Sequence, residues 1–144
     1  MSFKKNAIRL SHDISGAYDE EADCNSWKRD YLLSGNVLTI TDTFSLKARE
    51  ASDVENFLVQ GSVYLPGDST PEGYLVKKGE TVVVNSGKQM LLTYPSCLEP
   101  SVTVKELTDP RLTNVWGDSL RRISYTSSEN APLKGKYVFK VKEL

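Results

Sequence analysis

His12 stands beside Asp13 and is the only histidine in the chain, so it is the one imidazole available for proton transfer near neutral pH. Adjacent residues on a strand point to opposite faces, so the two would not meet as an oriented base, and His12 reads as a polar residue at a strand end. Cys24 and Cys97 are the only cysteines. With one histidine they cannot assemble a common zinc ligand set unless carboxylates supply most of it, so no metal is expected. Nothing in their spacing demands a disulfide, and buried free thiols are the expected reading. The acidic group Asp19, Glu20, Glu21 and Asp23 lacks the alternating oxygen spacing and the glycine of a calcium loop, and reads as a solvated helix start.

Trp27, Arg29 and Tyr31 share one face of an alternating stretch. Aromatic planes cover apolar sugar faces while a guanidinium fork pairs with carboxylates or sulfates, which makes these three the candidate substrate-binding residues for an acidic glycan. The competing reading places the same face in the core, with Arg29 satisfied by an acidic partner. Arg121 and Arg122 point to opposite faces, so at least one of them is structural or interfacial. No phosphate-binding loop, nucleophile elbow, zinc helix or cysteine knuckle is present, so no cofactor and no catalytic residue is expected.

The elements that would position these side chains are strands. Residues 7–10, 26–33, 37–44, 54–59, 74–76, 81–84, 89–94, 101–107, 119–125 and 137–141 alternate or are rich in β-branched residues, and residues 45–50 continue the third as a strand or an edge. Turn residues separate them, with Ser34-Gly35-Asn36 making a hairpin of the second and third. Residues 65–73 form a loop by their proline and glycine content, and are the best place for a boundary if one exists. In the first half of the chain only residues 15–22 have helical character, with Ser15 as cap. The expected fold is all-β: an antiparallel β-sandwich of about ten strands with one short helix near residues 15–22, as a single domain over residues 1–144.

The chain has 144 residues, with 18 Lys+Arg against 19 Asp+Glu. A domain of this size buries roughly 70% of its unfolded surface and needs no disulfide or metal to hold a core. Its near-balanced charge removes the electrostatic footprint of nucleic-acid binding and of adhesion to lipid headgroups. No apolar run approaches the length needed to cross a bilayer, and the first residues carry no signal-peptide core. Neither nucleic acid nor membrane is expected as a partner.

Two stretches taken together resemble the heparinase II/III-like polysaccharide lyases, in the β-sheet region that follows their helical toroid. The first is Asp13-Ile14-Ser15-Gly16-Ala17-Tyr18, followed by Trp27-Lys28-Arg29 and the strand that ends in Thr39-Ile40-Thr41-Asp42-Thr43-Phe44. The second is Asp109-Pro110-Arg111-Leu112, Trp116-Gly117 and Leu120-Arg121-Arg122-Ile123. The resemblance implies a parent enzyme that cleaves uronic-acid glycans by β-elimination, with its tyrosine, histidine and asparagine machinery in the toroid and a further histidine and metal set upstream. This chain holds neither, so no catalytic residue carries across.

The expectation is therefore a non-catalytic C-terminal β-sandwich portion of a larger lyase, bracing the catalytic toroid, its natural partner, and walling an acidic-polysaccharide cleft. The parent's location would be periplasmic or secreted. The alternatives are a free-standing carbohydrate-binding module or a structural interaction domain. If upstream strands are missing, the unpaired edge at residues 7–10 would recruit another copy of the chain and give a homo-oligomer.

Overall fold

The computed structural model describes the backbone of residues 2–4 and 6–144, and the side chains from Asn6 onward; Met1 and Lys5 of the leader reading lie outside the described residues. Among the described residues eleven strands form two antiparallel sheets. In chain order they are β1 (Ser2–Lys4), β2 (Ala7–Asp13), β3 (Cys24–Ser34), β4 (Val37–Leu46), β5 (Val54–Val59), β6 (Ser62–Tyr64), β7 (Glu80–Asn85), β8 (Lys88–Thr93), β9 (Leu98–Glu106), β10 (Ser119–Ser127) and β11 (Lys134–Glu143), with one helix, α1 (Pro110–Trp116), between β9 and β10. The large sheet runs β1-β2-β3-β4-β11-β8-β7-β6 and the small one β5-β10-β9. The expected β-sandwich is what the chain forms.

Local chemistry explains the turns. β3 and β4 are joined by two residues, with Gly35 at φ +59°, and β7 and β8 by Ser86 and Gly87, both at positive φ as a tight hairpin of this kind requires. Alternation then sets the faces. Trp27, Arg29, Tyr31 and Leu33 on β3 stand opposite Phe44, Asp42, Ile40 and Leu38 on β4, and all point toward the small sheet.

The core lies between the sheets. Phe57 of β5 packs on Phe139 of β11 with ring centroids 5.1 Å apart, and Tyr125 of β10 packs on Phe139 at 5.3 Å and on Tyr94 at 4.8 Å. The small sheet therefore lies with β5 over β3, β4 and β11, and with β10 toward β8. A second, smaller apolar cluster of Val76, Val82 and Leu91 forms on the other face of β7 and β8. There the segment after β6 brings Val76 onto the sheet; within that segment Ser69 and Leu75 form an isolated bridge, flanked by Val76 N–H donating to Asp68 O and Gly67 N–H to Val76 O at 2.9 Å, instead of the strand expected at residues 74–76.

Three further local expectations change. The helical stretch near residues 15–22 is two 3-10 turns, Ser15–Ala17 and Glu20–Ala22, because neither has buried residues to extend it, and the capping side chain is Asp19, accepting the Ala22 N–H at 3.1 Å, in place of Ser15. The α-helix forms instead at Pro110–Trp116, where Asp109 caps it by accepting the Arg111 N–H at 2.9 Å, Pro110 opens it and Gly117 ends it. The edge expected at residues 7–10 is not an edge, because β1 pairs with β2 on its far side.

Candidate functional site

Arg29 ties the two sheets together. On its own sheet it faces Asp42 across the ladder, donating Nε to Oδ1 at 2.6 Å and Nη2 to Oδ2 at 2.5 Å. From the opposite sheet Glu55 of β5 accepts from the same Nη2 at 2.6 Å. Asp42 is fully buried and Glu55 is 6% exposed. Two carboxylates and one guanidinium in so dry a place leave one negative charge unbalanced, and the cheapest remedy is to keep a proton. Burial, with the hydrogen bond to Asp42 and its charge, pushes the Glu55 carboxyl up to about 8. Burial also pushes Asp42 upward, but hydrogen bonds from Arg29, Glu55 and Trp27 outweigh it and hold that group below its ordinary value. Arg29 is raised further by its bond to Asp42. Near neutral pH the triad is thus one ion pair plus one neutral acid.

The residues around the triad form a chain of contacts. The Asp13 carboxylate accepts from Ser15 N–H at 3.0 Å and from Ser15 Oγ at 2.6 Å, so it is committed to the turn and not to His12. Ser15 Oγ in turn accepts the Trp27 N–H at 2.8 Å. The Trp27 ring stacks on Phe44 with centroids 5.1 Å apart and has Tyr18 tilted against it at 5.9 Å. Trp27 Nε1 is buried without a partner in full hydrogen-bond geometry, although it lies toward Asp42 closely enough to favour the carboxylate. Asp13, Ser15, Tyr18, Trp27, Arg29, Asp42 and Phe44, the residues of the first resembling stretch, therefore form one connected assembly.

Beside it a cavity of about 320 Å³ is lined by Tyr18, Cys24, Trp27, Leu46, Arg49 and Asp53. Arg49 and Asp53 in its wall are committed to protein partners, although Arg49 Nη1 lacks a partner in full hydrogen-bond geometry. Arg49 donates Nε to Ala131 O at 3.0 Å and Nη2 to Pro132 O at 2.8 Å, and its Nη1 lies 2.7 Å from Asp53 Oδ1. Asp53 also accepts the Tyr137 hydroxyl at 2.7 Å. This cluster fastens the crossing from β4 to β5 against the segment before β11. A second cavity of about 430 Å³ lies between Leu65, Pro66, Lys78, Tyr94, Leu98 and Glu99 at the other end, with no group converging on a reacting position.

Trp27, Arg29 and Tyr31 do share a face, but it is the inner one. Trp27 is 6% exposed, too little for a sugar to stack on, and Nε and Nη2 of Arg29 are taken by Asp42 and Glu55. The groove expected from these three is packed core at Trp27 and opens only toward Tyr31, which is half-buried. Sequence reasoning anticipated an acidic partner for Arg29 without naming Glu55, Arg49, Asp53 or Tyr137 as members of the site. Cys24 and Cys97 are both free thiols, but neither is buried as expected: Cys24 is half-buried and Cys97 lies exposed on the loop before β9. Among the described residues no group of three or more His, Cys, Asp or Glu side chains could hold a metal ion, and no helix is long and apolar enough to cross a membrane.

No protein-family model and no curated protein sequence matches this chain. Solved structures do. A heparinase III superposes on 98% of this chain with a TM-score of 0.66 and 11% identity, and the match covers 20% of that chain. A putative aldose 1-epimerase from Escherichia coli K12 superposes on all of it with a TM-score of 0.53 and 9% identity, covering 67% of that chain. At these identities the likeness establishes a shared β-domain fold, and both neighbours bear the names of carbohydrate enzymes.

Proposed function

We propose that residues 1–144 are the β-sandwich portion of a heparinase II/III-like polysaccharide lyase, a non-catalytic brace for a helical catalytic domain. The observation that carries this reading is the superposition of nearly the whole chain on one fifth of heparinase III. The connected assembly from Asp13 to Phe44 supports it, since the residues that resemble the family act together in the fold. Its ionisable centre favours a structural role. β-Elimination needs a base beside the uronate carbon, a cation for the carboxylate and an acid for the leaving oxygen, all open to a polymer. Glu55 has the pKa of a useful acid but is sealed between two sheets. In this reading the acidic polysaccharide and the location outside the cytoplasm belong to the parent enzyme.

The test is ultraviolet absorbance of unsaturated uronate released from heparin, heparan sulfate or alginate. Residues 1–144 alone should release none. A longer gene product that includes an upstream helical domain should be active, and deletion of residues 1–144 should abolish that activity or its thermal persistence. Turnover by the 144-residue chain, or an upstream frame encoding no helical domain, would overturn the proposal.

A further inference from the structure

The two sheets differ greatly in width, and the difference falls on one side. β5 is the outer strand of the small sheet and pairs with β10 alone among the described strands. It lies over β3 and β4, where Glu55 meets Arg29 and Asp42. Beyond that line the large sheet continues for two more strands, β2 and β1, whereas the small sheet ends at β5. Exposure across the inner face records this. From β4 to β2, the row Ile40, Tyr31, Leu10 goes from 7% exposed through half-buried to 36%, and the row Leu38, Leu33, Ile8 goes from half-buried through 40% to 42%.

An apolar shelf thus adjoins an unpaired strand edge. The shelf asks for apolar side chains at every second position, and the edge asks for backbone N–H and C=O groups. A glycan or lipid meets one demand and not the other, whereas an extended polypeptide meets both at once. Strands stand roughly 4.8 Å apart, so the overhang of β2 and β1 leaves width for about two. An antiparallel pairing of β5 with β5 of a second copy does not fit. Its two-fold axis would place both large sheets on the same side, and their overhangs would compete for the same space.

We propose that this slot takes an extended β-strand of polypeptide from outside residues 1–144, added alongside β5 with alternate apolar residues seated on Ile8, Leu10, Tyr31 and Leu33. The geometric argument stands apart from the lyase reading, which supplies a source for the strand in the rest of a chain of which this domain matches one fifth. The interaction is strand addition, in which the ladder gives affinity and the side-chain pockets give specificity.

The test uses the 144-residue protein and a synthetic peptide, acetyl-Lys-Val-Thr-Val-Thr-Val-Lys-amide, followed by nuclear magnetic resonance. Backbone amides of β5 and methyl groups of Ile8, Leu10 and Leu33 should shift together, and hydrogen exchange along β5 should slow. The same peptide with its central valine replaced by proline should do neither. A Leu10→Lys, Leu33→Lys double variant, whose side chains are exposed enough to keep the fold by circular dichroism, should bind the peptide at least roughly tenfold more weakly. Several outcomes would overturn the proposal: no shift at millimolar peptide, shifts at β9 or β6 with β5 unchanged, or dimerisation through β5 without peptide. So would a heparin oligosaccharide that shifts the shelf residues without protecting β5. None of these bears on lyase activity of a longer product, so the two proposals fail separately.

Discussion

Arg29 and Asp42 face each other across the β3–β4 ladder and share two parallel hydrogen bonds, of 2.6 and 2.5 Å, inside the sandwich. A bidentate pair of this kind fixes the planes of both groups and so fixes strand register as well as charge. Because Asp42 is fully buried, Asp42→Ala leaves a cation short of its partner and should cost about 3–5 kcal/mol in urea unfolding. The triple variant Arg29→Met, Asp42→Leu, Glu55→Leu removes all the charge together and should retain most of the stability that the single change loses. Equal losses in both would show that the triad's value is not electrostatic.

Glu55 makes the pH dependence specific. Its folded pKa of about 8 lies above its ordinary 4.5, so between those values the folded state holds a proton that the unfolded state has released. Stability should therefore fall as pH rises through that window. Glu55→Gln, which fixes the neutral form, should melt near wild type at about pH 5 and above it at about pH 9, with a flatter profile between. Thermal melts of both proteins over this range give the comparison; parallel profiles would place the retained proton elsewhere.

Gly61, in the turn between β5 and β6, has φ +103°, and a Cβ there would lie 2.3 Å from the Val84 carbonyl oxygen. Both backbone conformation and contact oppose a side chain, so Gly61→Ala should cost at least about 2 kcal/mol. Gly67, at φ +97°, has nothing within 4 Å of the same position and should lose less. Chemical denaturation of the two variants separates strain from collision.

The thiols should react in sequence. Cys97 is exposed, whereas Cys24 is half-buried beside the cavity and burial raises its pKa. A colorimetric thiol reagent at neutral pH should show one fast and one slow equivalent, and Cys97→Ser should remove the fast one.

Much of this architecture is legible in the order of residues. Alternation through residues 26–33 and 37–44, broken by Ser34-Gly35-Asn36, specifies the β3–β4 hairpin, and the same alternation puts Trp27, Arg29 and Tyr31 on one face. Which face is buried follows from the other sheet, and that is a long-range matter. Glu55 meets Arg29 only because β5 crosses over β3, and nothing local to residues 54–59 announces it. The helix at Pro110–Trp116 carried its signals in Asp109, Pro110 and Gly117. Leu112, Val115 and Trp116 have the i, i+3, i+4 spacing of a helix face, but seven residues span under two turns, too few for that period to stand out. β6, at three residues, is too short for alternation to show.

The large sheet is covered unequally along its width. At β7 and β8 it is clad on both faces, by the core on one side and by Val76 with its neighbours on the other, while on the inner face of β2 Ile8 and Leu10 stay 42% and 36% exposed. Resistance to opening should follow the cladding. On warming or under mechanical load the β1–β2 hairpin should peel away while the Tyr125–Phe139 stack still holds, so the domain can shed a margin without dissolving its centre.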